Sequence, residues 1–181
     1  MAQIKLNATY GLTGALPAVS GANLTTLNAS NVSSGTLNAA RYSGGKVLQV
    51  VQDTLTSQFS TSSATYADTG LTASITPSST SNKILILLDM LTCTVSGNQY
   101  NGIGMQILRD ASSIFEDAWF IYNFDGTAIQ SNSGSYQYTD SPSSTSSLTY
   151  KVQLKARTDS ASINPTPSTA TITLMEIAGW L

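Results

Sequence analysis

Strict alternation of apolar and polar residues narrows the possible fold of this chain more than any other feature. In the segment SLTYKVQLKART, the residues Leu148, Tyr150, Val152 and Leu154 fall on every second position. Successive side chains of a β-strand point to opposite faces, so this spacing places all four on one buried face. The segments GSYQYTDSP and ATITLMEIAGW show the same period. No segment combines a period of 3.6 residues with helix caps, which argues against an α-helical domain.

The segment KILILLDMLTCTV is apolar on both faces. Such a run fits either a central strand of a β-sandwich or a buried helix. The preceding turn residues SSTSN, the β-branched residues and the alternation of Thr92 and Thr94 favour a strand. Strand-like segments separated by turn signals, without intervening helices, predict an all-β antiparallel β-sandwich, with about eight strands in a jelly roll.

The amino-acid composition of the chain changes near residue 45. Every acidic residue lies beyond this point, and before it the only charged residues are Lys5 and Arg41. The first part repeats a hydroxyl-rich phrase, NLTTLNA and then NVSSGTLNA, just ahead of a flexible SGG break. We therefore divide the chain into an N-terminal segment (1–10), a repetitive segment (11–45) and a β-sandwich head (46–181).

The repetitive segment does not keep the heptad spacing of a coiled coil, and its glycines and Pro17 interrupt any helix. Two interpretations remain: a disordered linker, or an extended stem that wraps around identical copies. The matched apolar positions of the repeat favour the stem, because a linker does not need them. Three chains fit best, since one apolar side chain from each fills a narrow axis. The predicted contacts on this axis are Leu16, Leu24, Leu27, Val32 and Leu37.

The energetics indicate that such a stem depends on the head. Burying one leucine contributes about 2 kcal/mol, whereas ordering the backbone of one residue costs about 1–2 kcal/mol. The sparse apolar residues of the stem do not cover that cost. We therefore expect the head to bring the chains together and to set their register.

Composition excludes several classes of function. Charged residues make up 10% of the chain and the net charge is −2. The chain therefore lacks the excess positive charge that binds nucleic acid or an anionic membrane. There is no histidine, and the single Cys93, in an apolar run, is expected to be a buried structural thiol. No apolar stretch approaches the ~18 residues of a membrane span. We expect no metal, no cofactor, no nucleic-acid partner and no membrane insertion.

The phrase ASNVSSGTLNAAR resembles the stem segments of bacteriophage tail-fibre proteins. In those stems a pattern close to Asn-(Ile/Val)-x-x-Gly-Thr-(Leu/Ile)-x-x-x-Arg precedes a globular head. The residues that match it here are Asn31, Val32, Gly35, Thr36, Leu37 and Arg41. The segments TGLTASITPSSTSNKILI and TITLMEIAG also resemble parts of such heads. These patterns are short and cover a minor part of the chain.

The resemblance implies a homotrimer that is assembled in the host cytoplasm and becomes part of the virion. It also implies that residues 1–10 dock on another virion protein and that the head contacts a glycan or protein of the host surface. At 181 residues the chain is short for a tail fibre. We therefore also expect either a short fibre on the capsid or collar, or the last subunit of a compound fibre.

The sequence offers little catalytic chemistry. Glu116 and Asp117 form the only adjacent carboxylate pair, and two carboxylates can hydrolyse glycosides. Neighbours in a strand point to opposite faces, however, so we interpret the pair as a solvated strand end. The turn NFDG, residues 123–126, lacks the spacing of an EF-hand calcium loop. The prediction is a protein without enzymatic activity.

Aromatic residues are concentrated between residues 119 and 138, in a context rich in Asn, Ser, Gly and Asp. Aromatic faces beside short polar side chains suit saccharide recognition, although alternation would also place about half of them in the core. Residues in or beside turns are the better candidates for binding, because functional residues often lie on loops. The predicted receptor-binding residues are Asn98, Tyr100, Tyr122, Asn123, Asp125, Asn132, Tyr136 and Tyr138.

The sequence thus predicts a non-enzymatic virion fibre with a host-attachment head. Two other classes remain open. One is a capsid or collar decoration fibre whose head lacks a strong receptor. The other is a monomeric carbohydrate-binding module with a disordered N-terminal tail.

Overall fold

A computed structural model describes residues 45–96, 101–122, 129–158, 160–163 and 168–179. Within these ranges the regular structure is entirely β, as the alternation predicts, and no helix is long and apolar enough to cross a membrane. The strands are β1 (Val47–Leu55), β2 (Phe59–Thr61), β3 (Ala67–Ile75), β4 (Lys83–Ser96), β5 (Gly102–Arg109), β6 (Ser112–Tyr122), β7 (Gln130–Asp140), β8 (Leu148–Ala156), β9 (Ser160–Ile163) and β10 (Ala170–Ile177).

The strands form two antiparallel sheets. Sheet A contains β1, β2, β4, β7, β9 and β10, and sheet B has the order β3-β8-β5-β6. In sheet A, β10 and β9 lie one after the other along the same edge of β4. On the far side of this pair, β1 pairs with β10 and β2 pairs with β9, so β1 and β2 also lie one after the other. Sheet A therefore has four strand positions, with β7 on the other side of β4.

This arrangement is a jelly roll. Counting β1 with β2 and β9 with β10 gives four strand positions in each sheet, and every connection between these positions crosses from one sheet to the other except the one between β5 and β6, which pair with each other. The expectation of about eight strands in an antiparallel sandwich is thus confirmed. The two interruptions, between β1 and β2 and between β9 and β10, explain why ten separate strands are found among the described residues.

The core lies between the sheets and follows the predicted alternation. Every second residue of β8 and of β10 is buried. Tyr150 is the largest of the fully buried side chains. The run in β4 that is apolar on both faces is indeed a central strand, with Ile84, Ile86, Leu88 and Met90 in the core.

Cys93 also lies in this core and has no exposed surface. Burial raises the pKa of its thiol to about 12, and a backbone hydrogen bond with Gly134 opposes part of that rise. A thiol with such a pKa is not ionised at neutral pH and is a poor nucleophile. The prediction of a buried structural cysteine is confirmed.

The register defines two ends of the sandwich. Val47 pairs with Ile177, Ile177 pairs with Lys83, and Ile84 pairs with Asp140, so these residues mark the proximal end, where the chain enters the head. At the opposite, distal end lie the last residues of β4, β6 and β8 and the first residues of β5, β7 and β9. The pairs Val95–Gln130 and Gly102–Tyr122 mark that end.

A buried carboxylate joins the two sheets at the proximal end. Asp140, the last residue of β7 in sheet A, accepts two hydrogen bonds from Nη1 of Arg109, at 2.8 and 2.7 Å. The hydroxyl of Tyr150 donates a third hydrogen bond to Asp140, at 2.7 Å. Burial and the bond to Asp140 raise the pKa of Tyr150 far above its usual value. The three partners come from β7, β5 and β8, so this cluster fixes the position of one sheet on the other.

A second buried carboxylate organises the connection between β3 and β4. Glu176 is 1% exposed. Its Oε1 accepts hydrogen bonds from Asn82 and from the backbone and hydroxyl of Ser78, and its Oε2 accepts one from Gln49. Burial alone would raise the pKa of Glu176, but the hydrogen bonds from Asn82, Gln49 and Ser78 outweigh it and lower the pKa.

The predicted N-terminal segment (1–10) and stem (11–45) precede Lys46 and lie outside the described residues, apart from Gly45. The same holds for the predicted axial contacts, which are Leu16, Leu24, Leu27, Val32 and Leu37. These remain predictions from the sequence.

Candidate functional site

Asn101 ties two connections between strands together at the distal end. Its side chain is fully buried. Oδ1 accepts hydrogen bonds from the backbone of Gly102 at 2.7 Å and of Thr158 at 3.2 Å, and Nδ2 donates to the carbonyl of Ser160 at 3.3 Å. This residue therefore links the β4–β5 connection to the β8–β9 connection.

A bulge in β6 brings an aromatic side chain to the surface of this end. Ile103 pairs with Ile121, but Met105 pairs with Asp117, so β6 contains two more residues than β5 over this stretch. The carboxylate of Asp117 accepts a hydrogen bond from the backbone of Trp119 at 2.8 Å and stabilises the bulge. Bulges re-aim side chains. As a result Trp119 is exposed, whereas the next two residues of β6, Phe120 and Ile121, face the core.

Trp119 belongs to a compact group of three side chains. It is 49% exposed, and its ring meets that of Tyr122, 37% exposed, edge to face, with 4.9 Å between the ring centres. The guanidinium carbon of Arg157 lies 3.2 Å from the centre of the indole ring. The backbone of Arg157 is fixed by a hydrogen bond to Gly102, at 3.1 Å. We call Trp119, Tyr122 and Arg157 the distal aromatic patch.

A second aromatic–cation pair lies on the outer face of sheet B. The ammonium of Lys155 is 4.1 Å from the ring centre of Tyr66 and 3.4 Å from a carboxylate oxygen of Glu116. The hydroxyl of Tyr66 donates to the same oxygen at 3.0 Å. Burial and this hydrogen bond raise the pKa of Tyr66 well above its usual value. The Lys155 side chain packs over Gly104. Any larger residue at position 104 would clash with it, because a Cβ there would lie 2.8 Å from Cε of Lys155.

The composition of the patch is typical of a binding surface. Tryptophan, tyrosine and arginine are the residues that most often dominate the binding energy of protein interfaces. Exposed aromatic rings offer an apolar face beside polar edges, and Arg157 adds hydrogen-bond donors. The interaction of Arg157 with the indole ring also holds the ring in one orientation, which lowers the entropy lost on binding.

Glu116 and Asp117 do not form a joint carboxylate site. Glu116 is exposed and faces Tyr66 and Lys155, whereas Asp117 is half-buried and caps the backbone of Trp119. The expectation that the two side chains point to opposite faces of the strand agrees with these separate partners. The expectation that they mark a strand end is wrong, because both lie in the middle of β6, next to the bulge.

Two predicted binding residues lie together in a packing role. Tyr136 and Tyr138 are half-buried on the inner side of β7 and pack against the core. The ring of Phe115 stacks on Tyr136 with 4.2 Å between ring centres and meets Tyr138 at 5.7 Å. This cluster fills the gap between the edge strands β6 and β7. Alternation on β7 accounts for it, as the core interpretation of these aromatics expected.

The other predicted binding residues divide into two groups. Tyr122 belongs to the distal aromatic patch, and Asn132 is exposed on β7, opposite Cys93. Asn98, Tyr100, Asn123 and Asp125 lie outside the described residues. The strands that flank these four residues all reach the distal end.

Sequence reasoning did not select Trp119, Arg157 or Asn101. Trp119 was counted among the aromatic residues, but an alternating pattern gives no sign of a bulge. Arg157 follows the alternating segment of β8 and looks like an ordinary strand end. Asn101 lies next to the selected Tyr100 and is distinguished only by its burial, which the sequence does not display.

The described part of the chain contains no group of three or more His, Cys, Asp or Glu side chains that could hold a metal ion. A depression of about 660 Å³ lies over β4 and β7, lined by residues that include Leu87, Asp89, Ser135 and Gln137. It is in the middle of sheet A, not at the distal end.

Comparison with protein-family models gave no match, and neither did comparison with curated proteins. Among solved structures, the chain is similar to the structure of infectious bursal disease virus, Gx strain, with 11% sequence identity and a TM-score of 0.40, over 73% of this chain and 43% of that one. It is also similar to a mutant VP2 protein of infectious bursal disease virus in derived T=1 particles, with 12% identity and a TM-score of 0.39, over 74% of this chain and 38% of that one. The chain spans less than half the length of these viral chains, and the jelly-roll fold described above rests on its own strand pairing.

Proposed function

We propose that this protein is a structural, non-enzymatic fibre of a bacteriophage virion that acts as a homotrimer and attaches to the host surface through the distal end of its head. The observation that carries the proposal is the position of the distal aromatic patch. Trp119 and Tyr122 are exposed at the end of the sandwich opposite Val47, where the chain enters the head. The stem pattern in residues 31–41 supports the fibre part of the proposal.

A fibre needs its adhesive surface far from its point of attachment. In this proposal residues 1–10 dock on another virion protein, residues 11–45 form the trimeric stem, and the head carries the patch outward. The ligand class that best fits an exposed Trp–Tyr pair with an arginine is a saccharide of the cell surface, since the rings offer apolar faces beside hydrogen-bond donors.

The direct test measures binding of the fluorescently labelled full chain to a panel of bacterial strains that differ in surface polysaccharide. We expect at least one strain to bind the protein and the Trp119→Ala variant to lose about tenfold or more in affinity, as for a dominant interface residue. Ser147→Ala, in an exposed proximal connection, is the matched control and should bind like the unmodified protein. Periodate treatment of the cells should abolish binding, whereas protease treatment should not.

Equal binding by the unmodified protein, Trp119→Ala and Tyr122→Ala would overturn the assignment of the patch. Failure to bind any strain of a broad panel would favour a capsid or collar decoration fibre without a strong receptor. Binding by a chain that remains a monomer would instead favour a carbohydrate-binding module, which the exposed aromatic pair would also serve.

A further inference from the structure

The two outer faces of the sandwich differ in chemistry. The outer face of sheet B is polar and charged: Lys151 pairs with Asp68 at 3.0 Å, and Lys155 pairs with Glu116 at 3.4 Å. A hydrogen bond between Gln106 and Gln153 lies between these pairs. This face has the composition of a surface in contact with water.

The outer face of sheet A carries a group of aliphatic side chains instead. In one row across the sheet, Val50 pairs with Met175 and Met175 pairs with Leu85. Leu87 lies two residues along β4, and Ile177 lies two residues along β10. Val50 is 55% exposed although its neighbours on the core side of β1 are covered. We call Val50, Leu85, Leu87, Met175 and Ile177 the apolar face.

Polar residues surround the apolar face on the same side of the sheet. Thr139, Gln137 and Ser135 of β7 lie opposite Leu85, Leu87 and Asp89 of β4. Solvent-facing positions in this sheet therefore accept polar side chains without loss of the fold. Scattered apolar residues on a surface need no explanation, whereas a contiguous apolar group is a candidate interaction surface.

We infer that the apolar face packs against a second copy of this chain within the trimer. This inference rests on the proposed fibre, because it assigns the surface through which the heads assemble. Lys83 and Asp89 are the charged residues on the outer side of β4, and they cancel, so two copies of the face do not repel each other. A partner with a strong charge of either sign would find no complement here.

The position of the face in the chain also favours a second copy as its occupant. The 44 residues before Gly45 join the head at the proximal end, next to Val47, which is 51% exposed and pairs with Ile177 of the apolar face. Chains that run together before residue 45 therefore enter their heads beside this face.

The size of the face indicates how the contact works. Three strands and three alternate rows span about 14 Å in each direction, from strand and residue spacings of ~4.8 and ~3.4 Å. This is small compared with the roughly 800 Å² that each partner buries in a stable interface. Heads tethered at the same stem, however, see one another at an effective concentration of about the millimolar range, so a weak contact suffices.

The test compares the reactivity of two engineered thiols in the full chain. Val50→Cys places a thiol on the apolar face, and Ser74→Cys places one on the exposed outer face of sheet B. Native Cys93 is buried and provides the slow background. For each variant, the rate of reaction with a maleimide is divided by its rate in the unfolded chain, and the mass in solution is measured by light scattering.

We expect a trimer in which Val50→Cys reacts at least about tenfold more slowly than Ser74→Cys. A trimer in which both thiols react equally fast would overturn the inference and leave the trimeric fibre intact. A monomer with a protected Val50→Cys would show that residues 1–44 of the same chain cover the face, which also overturns it. A monomer with two reactive thiols would overturn both proposals. Leu87→Cys replaces Val50→Cys if that variant does not fold.

Discussion

The guanidinium of Arg157 lies over the indole ring of Trp119, with 3.2 Å between the guanidinium carbon and the ring centre. The two residues come from the two neighbours of β5 in sheet B: Trp119 lies in the bulge of β6, and Arg157 directly follows β8. The contact covers part of one face of the ring, and 49% of the residue remains exposed. A large aromatic side chain is thus held in a fixed orientation at the end of the sandwich opposite Val47.

A ligand that stacks on this ring should change its fluorescence. The chain has two tryptophans, Trp119 and Trp180, and we expect Trp119 to give the signal when surface polysaccharide from a bound strain is added. Trp119→Phe should retain part of the affinity, because an aromatic face remains, but should lose the fluorescence change. An unchanged signal in Trp119→Phe would show that the ligand binds elsewhere.

Gly134 on β7 should not tolerate a larger residue. A Cβ at this position would lie 2.5 Å from Cζ and 2.7 Å from Cε1 of Phe120. The ring of Phe120 is half-buried against the core, so it can shift only in part. We expect Gly134→Ala to lower the free energy of unfolding by about 1–3 kcal/mol, as overpacking does. Urea denaturation measures the loss, and adding Phe120→Leu should recover part of it; a neutral Gly134→Ala would contradict the packing.

The cluster around Asp140 should be strongly coupled. Asp140→Ala leaves Arg109 and the hydroxyl of Tyr150 without their acceptor, and we expect a loss of about 2–4 kcal/mol in unfolding free energy. This expected loss is smaller than the roughly 3–5 kcal/mol for a fully buried pair, because the Arg109 side chain is 27% exposed. Tyr150→Phe removes a single hydrogen bond and should cost about 1 kcal/mol.

A double-mutant cycle checks that coupling. Once Asp140 is removed, the Tyr150 hydroxyl has no carboxylate to bind, so the effect of Tyr150→Phe should change markedly in the Asp140→Ala background. Strictly additive losses would mean that Asp140 and Tyr150 stabilise the head independently.

Glu176 should make the head sensitive to acid. Its pKa in the folded protein lies below the ordinary value of 4.5, so the carboxylate contributes stability that is fully present above about that pH. The contribution is lost as the pH falls through the lower folded pKa. We therefore expect the free energy of unfolding to decrease as the pH falls below about 4.5.

Glu176→Gln isolates this contribution. The variant should be less stable than the unmodified head at pH 7 and should lose less stability on acidification. Some slope should remain, because hydrogen bonds from Gln153 and Lys151 also lower the pKa of Asp68. A variant with the same slope as the unmodified protein would show that Glu176 does not determine the acid sensitivity.

The fold could largely be predicted from the sequence because burial imposes a simple period. Alternation identified β8 and β10, and the turn residues before Lys83 identified β4 as a strand. The pairing of the strands could not be predicted from alternation. That β10 and β9 share one edge of β4 depends on contacts between residues at least 64 positions apart, which leave no local pattern.

The candidate site was less accessible to sequence reasoning. The members of the aromatic-rich window divide between the surface and the core at the bulge in β6. Before and after that bulge, Phe115 and Phe120 pack inward, whereas Trp119 is exposed. Alternation of apolar and polar residues predicts which side chains of a regular strand are buried. It does not show where two extra residues form a bulge and shift the register.

The central claim is that the chain works as a trimer, and its mass in solution tests this most directly. Light scattering on the full chain should give three times 19.0 kDa, about 57 kDa, at micromolar concentration. That result would support the stem and make the distal patch trivalent. A mass of 19.0 kDa under the same conditions would contradict the fibre and leave a monomeric binding module.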